Sequence, residues 1–340
     1  MGYDANLVVT PSGACESLAV PDLEILAFSD EHVEEAGGLL AARHARQRLV
    51  EPLLPERYED PAIARDEIAV EWAATDTSGA AAFRNGRLVG YLIGASRDAE
   101  LWGENVWVES AGQAVEQPED VRDLYAAAAG RWFEAGLRRH YVVVPATDSG
   151  LVEAWFRLGF GHQQAYALRD VPAHVDLRVP DGVEIRAPRK TDIEALLAVD
   201  WALPAHQRSS PVFSQRPLPT AADLRREWHA TLAGDEETVL IAWLDERPVA
   251  CWSVSDARLS SRRGLALPER ACYLGFASTV PEMRGLGIGV ALTDASLAAA
   301  AAQGYAVMVT DWRVTNLLAS RFWPRRGFRP DFFRLYRSIP

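Results

Sequence analysis

Leu23-Glu24-Ile25 recurs as Val183-Glu184-Ile185, and Arg87-Leu88-Val89-Gly90 as Arg247-Pro248-Val249-Ala250, both at an offset of 160 residues. Farther on the offset is 168. Gly136 answers to Gly304, Thr147-Asp148 to Thr315-Asn316, Trp155 to Trp323, Gly159-Phe160 to Gly327-Phe328 and Arg169 to Arg337. A repeat of this length is the size of a domain, and 340 residues suit two cores better than one. The repeat implies that both take the same fold. The linker falls in Val171–Asp181, with Pro172, Pro180 and Gly182 around it, and divides the chain into residues 1–175 and 176–340. Eight extra residues must enter the second copy between about Val254 and Arg284, where the polar stretch Ser255–Arg270 reads as a longer loop between strands.

Apolar runs of four to eight residues bounded by Gly, Pro and charged turns define the strands of the second copy. They are Val183–Arg186, Thr238–Leu244, Pro248–Ser255, Ala271–Val280, Ala306–Thr310 and a last one near Phe332–Arg337. Helices are expected near Asp192–Trp201, at Ala221–Ala233, from Gly287 to Ala302, and at Thr315–Pro324 with Thr315 or Asp311 as its N-cap. The class is α/β (α+β): two tandem domains, each a mixed, mostly antiparallel sheet flanked by helices.

Between the strand ending at Val280 and the alanine-rich helix lies Pro281-Glu282-Met283-Arg284-Gly285-Leu286-Gly287-Ile288-Gly289. Glycines at alternate positions clear β-carbons from the inside of a strand-to-helix turn, so that backbone N–H groups converge at the positive end of the helix dipole. A diphosphate is the natural guest, and Arg284 can cover its outer oxygens with a planar fork of donors. A dinucleotide loop of the Gly-x-Gly-x-x-Gly kind has different spacing and follows its strand directly. The first copy reads Glu116-Gln117-Pro118-Glu119-Asp120 at the equivalent offset. Carboxylates there stabilise a helix N-terminus and repel a diphosphate, so the first copy has kept the fold and lost the anion site.

About thirty residues after the glycine loop comes Asn316-Leu-Leu-Ala319-Ser-Arg-Phe322-Trp323-Pro-Arg-Arg-Gly327-Phe328. Taken in this order, Arg-x-x-Gly-x-Gly and the Asn316 segment resemble the GNAT superfamily of acyl-CoA-dependent N-acyltransferases. The two-domain plan with a degenerate first copy resembles that of the mycothiol synthases. The resemblance implies acetyl-CoA (coenzyme A) as co-substrate, its diphosphate on Arg284, Gly285, Leu286, Gly287, Ile288 and Gly289. The pantetheine arm would run along Asn316, Phe322 and Trp323. Strands on either side of the loop would splay, so that backbone groups at Ala277, Ser278 and Thr279 hold the arm and the developing oxyanion; Phe276 and Thr279 are equally readable as core.

Family members commonly carry a tyrosine acid just before the final Gly-Phe element. Here that position is Trp323, whose indole is no usable acid at neutral pH. Tyr336 is a substitute, or a packing residue of the last strand. The strand Ala271–Val280 has no Glu or His base. Asp311, leaving the next strand toward the splay, is the best-placed carboxylate, with helix capping as its other reading. His206, His229 and Glu227 read as ordinary surface.

The expected reaction is transfer of an acetyl group to a primary amine of a small-molecule acceptor by the second copy alone. The alternative is a non-catalytic acyl-CoA sensor or partner-binding module. A net charge of −12 opposes nucleic-acid binding. No window approaches the roughly 18 apolar residues of a membrane span. Met1–Asn6 has no basic region before an apolar run, so cytoplasm is the default, as monomer or homodimer. Seven scattered histidines and three distant cysteines give no metal pattern; Cys251 and Cys272 fall in strands and read as buried apolar residues.

Overall fold

The computed structural model describes residues 23–214 and 216–340; Cys15 lies outside them. The first copy runs β1 (Glu24–Ala27), α1 (Val33–Val50), α2 (Pro61–Trp72), β2 (Ser78–Arg84), β3 (Arg87–Gly94), α3 (Ala99–Trp102), β4 (Asn105–Val108), β5 (Gln113–Val115), α4 (Asp120–Glu134), β6 (Arg139–Pro145), α5 (Ser149–Arg157) and β7 (Gly161–Asp170). The second runs β8 (Val183–Arg186), α6 (Ile193–Asp200), α7 (Ala202–Arg208), α8 (Ala221–Ala233), β9 (Glu237–Leu244), β10 (Arg247–Asp256), β11 (Ala271–Thr279), α9 (Ile288–Ala302), β12 (Val307–Arg313), α10 (Leu317–Arg325) and β13 (Arg329–Ser338). Of these, α7 was not foreseen. Among the described residues no helix is long and apolar enough to cross a membrane.

The strands form a four-stranded sheet, β1-β2-β3-β5, and a nine-stranded sheet, β4-β6-β13-β7-β12-β11-β10-β9-β8. The second order shows an exchange. The last strand of the second copy, β13, lies between β6 and β7 of the first, and β7 pairs in turn with β12 of the second. The exchange is reciprocal. Ser338 opposite Arg139 and Val307 opposite Asp170 are the same pair under the 168-residue offset. Across the central β7–β13 ladder, Arg329 faces Leu168 and Tyr336 faces Gly161, a register that maps onto itself.

Apolar packing follows the exchange. Leu40, Leu54, Tyr58 and Ile68 of α1, α2 and the turn between them share a core with Val307, Val309 and Phe332 of the second copy. The Ser255–Arg270 segment joins that core. Two short 3₁₀ turns bury Ala257, Leu265 and Ala266, and Arg262 reaches Asp331 on β13 with two contacts of 2.6 and 2.8 Å. The stretch is therefore a structural strap rather than a solvent loop. On the second copy α9 and α10 cover one sheet face through Ile288, Leu292 and Trp323. The other face is covered by α6 and α8 through Leu196, Val199 and Trp228.

Helix ends follow local chemistry. Thr220 and Asp223 form a reciprocal capping box at α8. Asn316, and neither Thr315 nor Asp311, caps α10, its Oδ1 accepting from the amides of Leu318 and Ala319 at 3.2 Å. Gly327 ends that helix at φ +82°. Cys251 and Cys272 are both free and buried.

Candidate functional site

Parallel pairing between β11 and β12 stops after three residues, at Tyr273 and Val309. Beyond that point β11 follows β10 to Thr279 while β12 follows β7 to Arg313. The two strands open into a wedge. Near its vertex β11 bulges at Gly275, and the Thr310 hydroxyl donates to the Leu274 carbonyl at 2.9 Å. The rest of that edge of β11, through Ala277 and Thr279, has no strand beside it. Ser278 contributes backbone alone, because its hydroxyl donates to the Val199 carbonyl at 2.7 Å. Phe276 turns to Trp228, with ring centroids 5.8 Å apart.

At the mouth of the wedge lies the glycine loop. Gly285 and Gly287 adopt left-handed φ of +81° and +83°, so they are required by backbone conformation. Gly289 is required by neither conformation nor packing: a β-carbon there would make ordinary contacts, 3.4 Å from Phe322 and 3.6 Å from Trp252, and glycine leaves the inside of the turn clear. Among the described residues none of the amides from Gly285 to Val290 donates to a backbone carbonyl outside α9, as expected at a helix N-terminus. Arg284 turns back over the strand end, its Nε donating to the Thr279 carbonyl at 3.2 Å. A cleft of about 490 Å³ lies between Val280–Arg284 and α7.

α7 bridges the mouth. Its His206 Nε2 lies 3.1 Å from Asn316 Oδ1, so His206 is joined to the site rather than being free surface. No sequence signal marks that contact, which spans 110 positions. Phe322 borders the wedge beside Gly289. Trp323 is 6 % exposed, between Trp252 and Phe328, and acts as a wall behind it.

Asp311 stands at the vertex and caps nothing. Tyr273 donates its hydroxyl to Oδ1 at 2.7 Å, and Gln164, from the exchanged strand β7, donates its amide to Oδ2. Burial, with the adjacent Asp311 carboxylate, pushes the Tyr273 hydroxyl far above its usual range, so it stays protonated as a fixed donor. Tyr336 is not at the vertex. It faces Tyr141 across β13–β6, with centroids 4.9 Å apart, and β7 separates its strand from β12. Two strand spacings are about 10 Å. The exchange of β13 thus removes Tyr336 as the acid for a thiolate in this wedge.

The same place in the first copy is filled. Gln113 pairs with Leu92 as Ala277 pairs with Trp252, so the two are counterparts. The Gln113 side chain donates to the Val143 carbonyl at 2.9 Å and accepts from Trp155 Nε1 at 3.0 Å. Arg43, only 2 % exposed, closes the remainder by donating to the Gln113 and Ser110 carbonyls. The strand-to-helix loop is also shorter: four residues, 116–119, against eight, 280–287. Glu116 pairs with Arg87, and Glu119 with Arg122 and Arg157.

Beneath the covering helices, burial raises the Asp200 carboxyl to about 6, against a stabilising hydrogen bond from Trp228 Nε1 at 2.9 Å. Because the folded state holds this proton more tightly, stability falls as pH rises from the ordinary aspartate range through about 6. Asp200→Asn is expected to flatten that fall and raise stability near pH 7.5 by about 1–2 kcal/mol, after discount for partial exposure. Thermal melts of both proteins at intervals between about pH 4 and 8 test this; parallel profiles would refute it.

The acetyltransferase (GNAT) family model matches residues 199–328. Among solved structures the chain is similar to a GCN5-related N-acetyltransferase from Sphaerobacter thermophilus, at 12% identity and TM-score 0.56, over 93% of this chain and 96% of that one. It is also similar to a fungal GCN5-related glucosamine N-acetyltransferase region within a multi-domain GH3 beta-N-acetylglucosaminidase. There the identity is 17% and the TM-score 0.50, over 94% of this chain and 38% of that one. A tandem GNAT protein from the clavulanic acid biosynthesis pathway aligns at 16% identity and TM-score 0.47, over 93% and 98% of the two chains. A search of curated protein sequences returned no match. With the wedge, the glycine loop and the family match all in one segment, the second copy contains an acetyltransferase domain of the GNAT family.

Proposed function

We propose that this protein transfers an acetyl group from acetyl-CoA to the primary amine of a small molecule. In this reading residues 1–175 form a copy without a coenzyme site and residues 176–340 the catalytic copy. One observation carries it: the wedge that stays open beside Ala277 and ends in the glycine cradle is closed by Gln113 and Arg43 in the first copy. Acetyl-CoA, when bound, supplies the acyl group as a thioester. The amides from Gly285 to Val290, with Arg284, bind the diphosphate. The free edge of β11 binds the pantetheine arm and polarises the thioester carbonyl. Asp311, oriented by Tyr273 and Gln164, holds the amine and takes the proton it loses on acylation. Tyr273, the tyrosine at the vertex, is committed to Asp311, so water returns a proton to the thiolate.

Titration calorimetry is expected to give one acetyl-CoA site per chain, and thiol release with a panel of amines is expected to exceed background hydrolysis. Two equivalent sites would defeat the assignment to one copy. Binding without thiol release for any amine would make the protein a coenzyme-binding sensor instead. Asp311→Asn should lower kcat/KM by about tenfold or more with coenzyme affinity unchanged. Equal activity of that variant and the parent would remove Asp311 from the mechanism.

A further inference from the structure

On the sheet face that carries Asp311, Arg313, Gln164 and Arg334 stand side by side on β12, β7 and β13. Arg334 is satisfied by neutral oxygens only, those of Gln163, Gln164 and Tyr166. Arg313 makes no side-chain hydrogen bond or ion pair among the described residues. Its guanidinium is pulled below its ordinary pKa by burial and by the cations Arg334 and Arg216. Asp311, the carboxylate on the same strand face, is already held by Tyr273 and Gln164. A half-buried, unpaired cation beside two others is costly unless an anion joins it.

The adjoining wall comes from the first copy. Trp107 and Tyr141 stack at 4.5 Å and 17°, Trp102 stands edge-on to Trp107 at 4.9 Å, and Arg334 lies 5.3 Å above Trp102. The indole Nε1 of Trp107 is buried without a partner. Glu109, two residues beyond Trp107, is taken by Arg97 at 2.7 Å. A chain with net charge −12 therefore keeps the half-buried Arg313 and Trp102 beside the wedge vertex, over the buried Arg334, Trp107 and Tyr141. Two residues apart on one strand, Asp311 and Arg313 have α-carbons about 7 Å from each other, within the span of an amine and an acid a few bonds apart.

We propose that this face is the acceptor subsite and that the acceptor is an anionic amine. Its ammonium rests on Asp311, its carboxylate or phosphonate-like group on Arg313, and a flat apolar body on the part-exposed Trp102, which is backed by the buried Trp107. The degenerate copy thereby supplies the acceptor wall. This deepens the acetyltransferase reading and rests on it, but binding tests it apart from turnover.

The probes are L-phenylalanine, its carboxamide and 1-amino-2-phenylethylphosphonic acid, titrated into the full chain with coenzyme A present, read by calorimetry and tryptophan fluorescence. The two acids are expected to bind about tenfold or more tighter than the amide, and the better acid tells carboxylate from phosphonate preference. Arg313→Gln, which breaks no side-chain hydrogen bond or ion pair among the described residues, should reduce both acids to the affinity of the amide, and Arg313→Lys should recover part of the difference. Equal affinity of acid and amide for the parent, an undiminished ratio in Arg313→Gln, or no binding of any probe would overturn the proposal. Thiol release from neutral amines in the same preparations would show that the transfer reaction stands when this inference fails.

Discussion

Asp331→Ala is expected to cost about 3–5 kcal/mol of folding stability. Asp331 is fully buried and holds Arg262 through both carboxylate oxygens. Arg262, 4 % exposed, spends its other donors on the Ala266 and Ala167 carbonyls at 2.7 and 3.0 Å. Truncating the acid leaves a buried guanidinium with no counter-charge. The double variant Arg262→Met/Asp331→Leu removes both charges and should recover most of the loss, since the desolvation cost disappears with the attraction. Chemical denaturation of the parent, both single variants and the double variant closes the cycle. A single-variant cost below about 1 kcal/mol would show that the strap is not held by this pair.

Gly289→Glu should abolish acetyl-CoA binding in a protein that stays folded. Its backbone has no left-handed requirement, and its β-carbon would make only ordinary contacts with Phe322 and Trp252, so the effect falls on the wedge and not on the helix. Gly287→Glu should do the same with some loss of stability, because position 287 lies at φ +83°, which costs a non-glycine residue about 1–2 kcal/mol. Gly287→Ala separates that strain from the added charge. Arg284→Ala should weaken binding by only about 1.5–3 kcal/mol, the worth of one charge-assisted contact. Calorimetry gives the affinities; retained affinity in Gly289→Glu would mean that the diphosphate sits elsewhere.

The order of elements within each copy was legible because period-2 and period-3.6 patterns are local. The exchange of β7 and β13 was not. Under the 168-residue offset the two strands are counterparts of equal length, and the central ladder maps onto itself, so the repeat assigns neither strand to its neighbour. The loss of the first copy's anion site was visible in Glu116 and Glu119, where charge alone argues. Its interior plug was not, because Gln113 and Arg43 are seventy residues apart and read as surface types until the fold buries them. The cradle residues Arg284 to Gly289 were legible through glycine conformation. The vertex was harder: Asp311 could be named, but its partners Tyr273 and Gln164 come from other strands, and Tyr336 was misplaced by the same crossing of β13. Asn316 takes the capping role that Asp311 was also given.

The crossing also bears on how such a chain can be made. During synthesis the first half leaves the ribosome with a gap between β6 and β7, and only the ten-residue strand β13, Arg329–Ser338, fills it. Until then both strand edges are bare, and bare edges invite pairing with the wrong neighbour. Completion of the N-terminal half therefore waits until β13 of the second copy has been made. A stop codon just before β13 would damage the half translated first, and a gene split at the linker would yield two incomplete pieces rather than two working domains.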